Sequence, residues 1–173
     1  MQETEMDTLR IRAGQVEPFI KATIDTFKTM VNLKVIRGEI RLRQAGVVTN
    51  DVSGTIGLFG AAEGSVTLGF SKGTAQAVAD SFLGETDVSS VLMKDSIGEL
   101  VNIIAGFAKK DFPDVDVNIT LPSVIVGDGH EISSHADDRK VVAYFTCPLG
   151  EFHLEVYLEG LPEKTQPSAI GEK

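Results

Sequence analysis

Four short stretches of this chain place apolar side chains at every second position, and they fall into two pairs, each joined by a short glycine-bearing link. In the first pair, Ile56 and Leu58 alternate with Thr55, Gly57 and Phe59, and Val66, Leu68 and Phe70 alternate with Ser65, Thr67 and Gly69, across Gly60-Ala-Ala-Glu-Gly64. In the second, Val141, Ala143 and Phe145 alternate with Val142, Tyr144 and Thr146. Phe152, Leu154, Val156 and Leu158 follow, alternating with Glu151, His153, Glu155 and Tyr157, across Pro148-Leu149-Gly150. A period of two with short links predicts antiparallel hairpins. A fifth run, Val115 to Leu121, alternates strictly with Asp116, Asn118 and Thr120 and stops at Pro122. Such strands carry one apolar face, so a second layer must cover it.

The covering layer is legible as helices. Val16, Phe19, Ile20, Ile24, Phe27, Met30 and Val31 recur at helical spacing. Pro18 suits a first turn, which predicts a start near Val16 or Glu17 and an end near Leu33. A short Ala-rich helix is predicted over Gly73 to Leu83 with Gly84 as its C-terminal cap, and a second long helix over Val91 to Phe112. Leu9 and Ile11, alternating with Arg10 and Arg12, predict one short strand, and Ile36, Ile40 and Leu42 hint at another. The fold class is α+β, with two long helices and a short helix layered on an antiparallel-rich sheet of five or six strands. At 173 residues the expectation is a single domain over 1–160 and a polar, Pro-containing, disordered tail over 161–173.

Composition narrows the functional classes. A hydrophobic share of 42% with 24% charged residues is globular rather than disordered. The chain has 25 acidic and 16 basic residues, net -9, and only short basic clusters, which argues against nucleic-acid and anionic-membrane binding. The opening MQETEMDTLR lacks the apolar run of a signal peptide, and no stretch reaches the roughly 18 apolar residues of a membrane span. Lone Cys147 has no partner for an internal disulfide, which suits a reducing compartment. The expected location is the cytoplasm.

The second long helix is the most informative element. With Asp95 as origin at about 100° per residue, Glu99 falls near 40°, Asn102 near -20°, Gly106 near 20° and Lys109 near -40°. Ile97, Leu100, Val101, Ile103, Ile104, Phe107 and Ala108 lie on the other side. Asn and Gly are poor helix formers, so a polar line containing them is either a solvated face or one kept for a partner. Glu99 and Asn102, three apart, project together.

Other candidates are weaker. His130 and His135 are five apart, not the four that align two ligands on a helix, and His153 belongs to the outward set of its strand and reads as a surface residue. Cys147 reads as an incidental thiol. Gly54-x2-Gly57-x2-Gly60 lies inside a strand, where close backbone packing explains it better than a nucleotide loop.

Asp95-x3-Glu99-x2-Asn102, followed by Pro122, resembles the signature of the CheX/CheC family of chemotaxis phosphatases. The ordered segments EPFIKATIDTFKTM, DVSGTIGLFG, GSVTLGFS, IGELVNIIAGFAKK, LPSVIVGDGHEI and GEFHLEVYL are similar to CheX over roughly residues 14 to 160. The resemblance implies hydrolysis of the aspartyl phosphate on a response-regulator receiver domain of the CheY type. Asn102 would position the attacking water, Glu99 would contact the regulator's lysine, and Asp95 and Pro122 would shape the surface. It implies no cofactor of the chain's own, Mg2+ being supplied by the receiver, and a homodimer formed through the sheets. CheC-like chains carry the motif on two helices, whereas Glu17 and Asp25 of the first helix do not reproduce it, so one site per chain is expected. The alternative is a non-catalytic adaptor or switch-type module that binds a receiver domain, as the related middle domain of the flagellar switch protein is structural.

Overall fold

The computed structural model describes residues 2–46 and 48–161. Its strands are β1 (Ile36–Leu42), β2 (Asn50–Gly60), β3 (Glu63–Phe70), β4 (Val117–Ile119), β5 (Ser123–His130), β6 (Val141–Cys147) and β7 (Gly150–Glu159), and its helices are α1 (Gln2–Thr26), α2 (Lys72–Leu83) and α3 (Ser90–Ala108). The two hairpins meet through β3 and β7, giving one sheet in the order β1-β6-β7-β3-β2-β4, with β5 also paired to β2. Every pairing is antiparallel. β4 and β5 share the β2 edge end to end, β4 at Leu58 to Gly60 and β5 from Asn50 to Thr55.

The alternation dictates which face is covered. Val52, Ile56, Leu58, Val66, Leu68, Phe70, Leu154 and Val156 point into one core beneath the three helices. Phe152 is its aromatic hub, stacked on Phe27, Phe145 and Phe70 with ring centroids 4.5, 5.1 and 5.3 Å apart.

Several expectations need correction. No strand forms at Leu9 to Arg12, because α1 begins at Gln2 and runs through Pro18. The amide that Pro18 lacks would have bonded to the carbonyl of Gly14, and the helix tolerates that loss. At the other end the helix widens into a π turn, Phe27–Val31, closed by Asn32 in the left-handed conformation at φ 58°. The first hairpin is tighter than predicted, since only Ala61 and Ala62 separate β2 from β3. The run ending at Pro122 does not end the strand pairing: after a break at Thr120 to Pro122 the chain continues as β5, making seven strands among the described residues rather than five or six. Thr120 spans the break by donating its N–H to the Gly57 carbonyl while its Oγ1 accepts from the Gly57 N–H. The tail expectation falls on 162–173, outside the described residues; Leu161, which is described, packs against the core.

His153 is not a surface residue; it is buried. Period two does put it on the face away from the helices, but the segment after β5 roofs that face. Arg43 reaches Glu155 and Asp137 at 3.1 Å and Glu131 at 3.5 Å. Lys140 meets Asp137 at 2.9 Å and donates to the Ile132 carbonyl. Under this roof His153 Nε2 lies 3.5 Å from Glu155.

Candidate functional site

The polar line sits on α3, and three devices place that helix. Ser89 caps it, its hydroxyl accepting from the Leu92 N–H. Asp80 at the end of α2 gathers the incoming loop, accepting from the Val88 and Asp87 backbone N–H groups and from the Gln76 amide. The Val88 bond above all holds the Asp80 carboxyl below its usual range, despite some opposing desolvation. Third, α3 lies unusually close on β2: a β-carbon at Gly54 would fall 2.9 Å from Ile97 Cγ2 and 3.1 Å from the Ile97 carbonyl oxygen. The close-packing reading of the glycine series therefore holds at Gly54.

The wheel is realised closely. Ile97, Leu100, Val101, Ile104, Ala105 and Ala108 are fully buried, whereas Asp95 and Glu99 are exposed and Asn102 and Gly106 half-buried. Glu99 and Asn102 are three positions apart, an axial step of about 4.5 Å. Among the described residues neither side chain has a hydrogen-bond or ion-pair partner, so both remain available to a second molecule.

Pro122 comes to the same place from the sheet. It is half-buried where the chain passes from β4 to β5, and a β-carbon at Gly98 would sit 3.7 Å from its Cγ and 3.3 Å from Val124 Cγ2. The turn that carries Glu99 thus rests on Pro122. Ser96 and Gly98, both poor helix formers, are buried, and the missing side chain of Gly98 leaves room for Val124 and Pro122. Phe107 departs from the wheel reading: its ring is 44% exposed, beside Lys110, whose Nζ is 5.0 Å from the ring centre. Among the described residues, no group of three or more His, Cys, Asp or Glu side chains could hold a metal ion. His130 instead donates from Nδ1 to the Gly127 carbonyl at 2.6 Å, with Nε2 2.7 Å from the Ser53 hydroxyl. No helix of the described residues is long and apolar enough to cross a membrane.

Residues 52–146 match the family model described as chemotaxis phosphatase CheX. No curated protein matches the sequence. A solved CheX from Desulfovibrio desulfuricans is 33% identical with a TM-score of 0.77, the match covering 84% of this chain and 99% of that one. A CheX from Vibrio vulnificus is 28% identical over 84% and 99% of the two chains, with a TM-score of 0.76. A chain from the CheX-CheY-BeF3-Mg2+ complex of Borrelia burgdorferi has a TM-score of 0.67 at 23% identity, covering 83% and 97%, a likeness of fold. A seven-stranded antiparallel sheet layered with three helices, together with the family match over more than half its length, makes this chain a member of the CheX family of chemotaxis phosphatases.

Proposed function

We propose that this protein hydrolyses the aspartyl phosphate of a CheY-like receiver domain, with Asn102 positioning the water and Glu99 engaging the receiver's active-site lysine. The observation that carries this reading is that both side chains stand on the outer line of a helix whose opposite side is buried, with no partner among the described residues.

An aspartyl phosphate is already activated, so the catalyst mainly needs to place a water. The water oxygen bonds to phosphorus, the P–O bond to the aspartyl carboxyl breaks, and the carboxylate leaves with that electron pair. The water's protons pass to phosphate and solvent. A neutral amide suits this positioning, because its N–H donates to a phosphoryl oxygen while its carbonyl accepts from the water. Glu99 acts as an anchor rather than a base: a carboxylate meeting the receiver's ammonium fixes where Asn102 points. Mg2+ belongs to the receiver on this reading, and Asp95 and Pro122 shape the docking face. The complex of a CheX with CheY from Borrelia burgdorferi supports this choice of partner. The same reading puts the protein in the cytoplasm, and the outermost strands β1 and β5 offer edges through which two copies could pair their sheets.

The test follows decay of a phosphorylated receiver in Mg2+ with wild type, Asn102→Ala and Glu99→Ala. Loss of one positioned polar group predicts a fall in rate of about 100-fold or more for Asn102→Ala. Decay at the uncatalysed rate with all three proteins would exclude hydrolysis. Retained binding of the phosphorylated form by the wild type would then favour an adaptor.

A further inference from the structure

A groove of about 470 Å3 opens between α1 and the end of α3, one to two turns beyond Asn102. Its floor includes Ala22 and the exposed ring of Phe107, and Lys21, Lys28 and Lys110 stand around it with Asp25 and Asp111. Lys21 lies on α1 and Lys28 on the π turn that continues it, and both line the groove. Among the described residues none of the three lysines has an ion-pair partner. A site with more cations than anions, around an exposed aromatic, is out of keeping with a chain of net charge -9. It fits an acidic partner that also presents an apolar side chain.

The distance says which partner. Phe107 is about 7.5 Å and Lys110 about 12 Å along the axis from Asn102, at 1.5 Å per residue. A standard interface covers on the order of 800 Å2 per partner, a disc about 16 Å in radius. A footprint of that radius centred on Asn102 extends past Lys110 along the helix, the stretch of α3 that lines this groove. We infer that the α1–α3 groove is a second contact for the phosphorylated receiver domain, taking an apolar side chain on Phe107 and an acidic one among Lys21, Lys28 and Lys110, and that it selects which receivers are accepted. The inference rests on the reading of Glu99 and Asn102 given above. The groove residues lie outside the chemistry, so they act on affinity and on the rate of encounter.

The experiment measures dephosphorylation against concentration of a CheY-like receiver, phosphorylated with acetyl phosphate in Mg2+, at two ionic strengths. The proteins are wild type, the triple variant Lys21→Glu/Lys28→Glu/Lys110→Glu, Phe107→Ser, and Lys34→Glu as an exposed lysine outside the groove. All the substituted side chains are exposed, and thermal midpoints verify that each variant folds. The triple variant should raise KM about tenfold, hold kcat within about twofold and flatten the dependence on salt; Phe107→Ser should raise KM without changing that dependence. Lys34→Glu should leave KM within about twofold. An unchanged KM in the triple variant, or a fall in kcat alone, would overturn the inference. If the wild type does not accelerate hydrolysis, the proposed function fails on its own account. The groove is then judged by Kd for the phosphorylated receiver, which must weaken about tenfold in the triple variant, and an unchanged Kd overturns it.

Discussion

Gly54 faces Ile97 so closely that a single methyl group between them would touch both a side chain and a backbone carbonyl, at 2.9 and 3.1 Å. A backbone oxygen cannot rotate away, so Gly54→Ala must push α3 off the sheet. Overpacking of this kind costs about 1–3 kcal/mol. Urea denaturation should show that loss, and turnover of a phosphorylated receiver should fall with it, because the helix bearing Asn102 moves.

Pro122 packs beside Gly98, in the turn that carries Glu99. Pro122→Ala removes ring atoms beside Gly98, so turnover should drop several-fold, well short of the roughly 100-fold expected for Asn102→Ala, with stability changed by less than about 1.5 kcal/mol. A loss as large as that of Asn102→Ala would show that Pro122 does more than support.

Gly106 separates stability from use. A β-carbon there would meet nothing within 4 Å, and the residue is in regular helix. Gly106→Ala should therefore stabilise the fold by about 0.5–1 kcal/mol, read as a higher midpoint in denaturant. It lies one turn beyond Asn102 on the same line, so the added methyl should also raise KM for the receiver. A stabilised variant with unaltered KM would mean that the partner does not reach Gly106.

Arg43 is the keystone of the roof over the far face. Its guanidinium is buried among Glu155, Asp137 and Glu131, although its Nε and Nη2 lack hydrogen-bond alignment. Arg43→Met leaves buried Glu155 without its cation, and removing one member of a buried pair costs about 3–5 kcal/mol, here toward the lower figure given that alignment. Adding Glu155→Leu should recover much of the loss, which a double-mutant cycle in urea would reveal.

Acid should loosen the same roof. Burial alone would raise the Asp137 carboxyl, but the Lys140 ammonium, the Ser134 N–H and the Arg43 charge together hold it below its ordinary value. A carboxyl depressed in the folded state contributes stability in full above the unfolded value of about 3.9 and loses it as pH falls through the folded one. The stability gap between wild type and Asp137→Asn should be flat from about pH 5 to 7 and shrink below about pH 4. A gap independent of pH would contradict this.

The parts legible in sequence are those where one period governs one environment. Phe107 apart, α3 shows its burial as a wheel, because one side meets the sheet and the other meets solvent, and the paired strands of the two hairpins are legible for the same reason. β5 was hidden because Ser123 to His130 is an edge strand with Val124, Ile125 and Val126 in succession, then Gly127 and Gly129, which breaks alternation and mimics a loop. The early start of α1 was hidden by Pro18, a sound N-terminal signal that here sits mid-helix. His153 misled because alternation reports which face of a sheet a residue occupies and not whether something covers that face. The groove was invisible for a related reason: Phe107 has an apolar residue's place on the wheel, and only the lie of α1 against α3 leaves its ring uncovered.

The segregation of α3 into a packed side and an unpaired line has a consequence for descent. Asp95 and Glu99 are exposed and Asn102 is only half-buried, so selection for a stable fold has little hold on any of them. A lineage that lost its partner could let that line drift while Ile97, Leu100, Val101 and Ile104 stayed fixed, and its protein would remain folded and abundant. Retention of Glu99 and Asn102 along a lineage would in that sense record use, independently of the record of folding kept by the other side of the same helix.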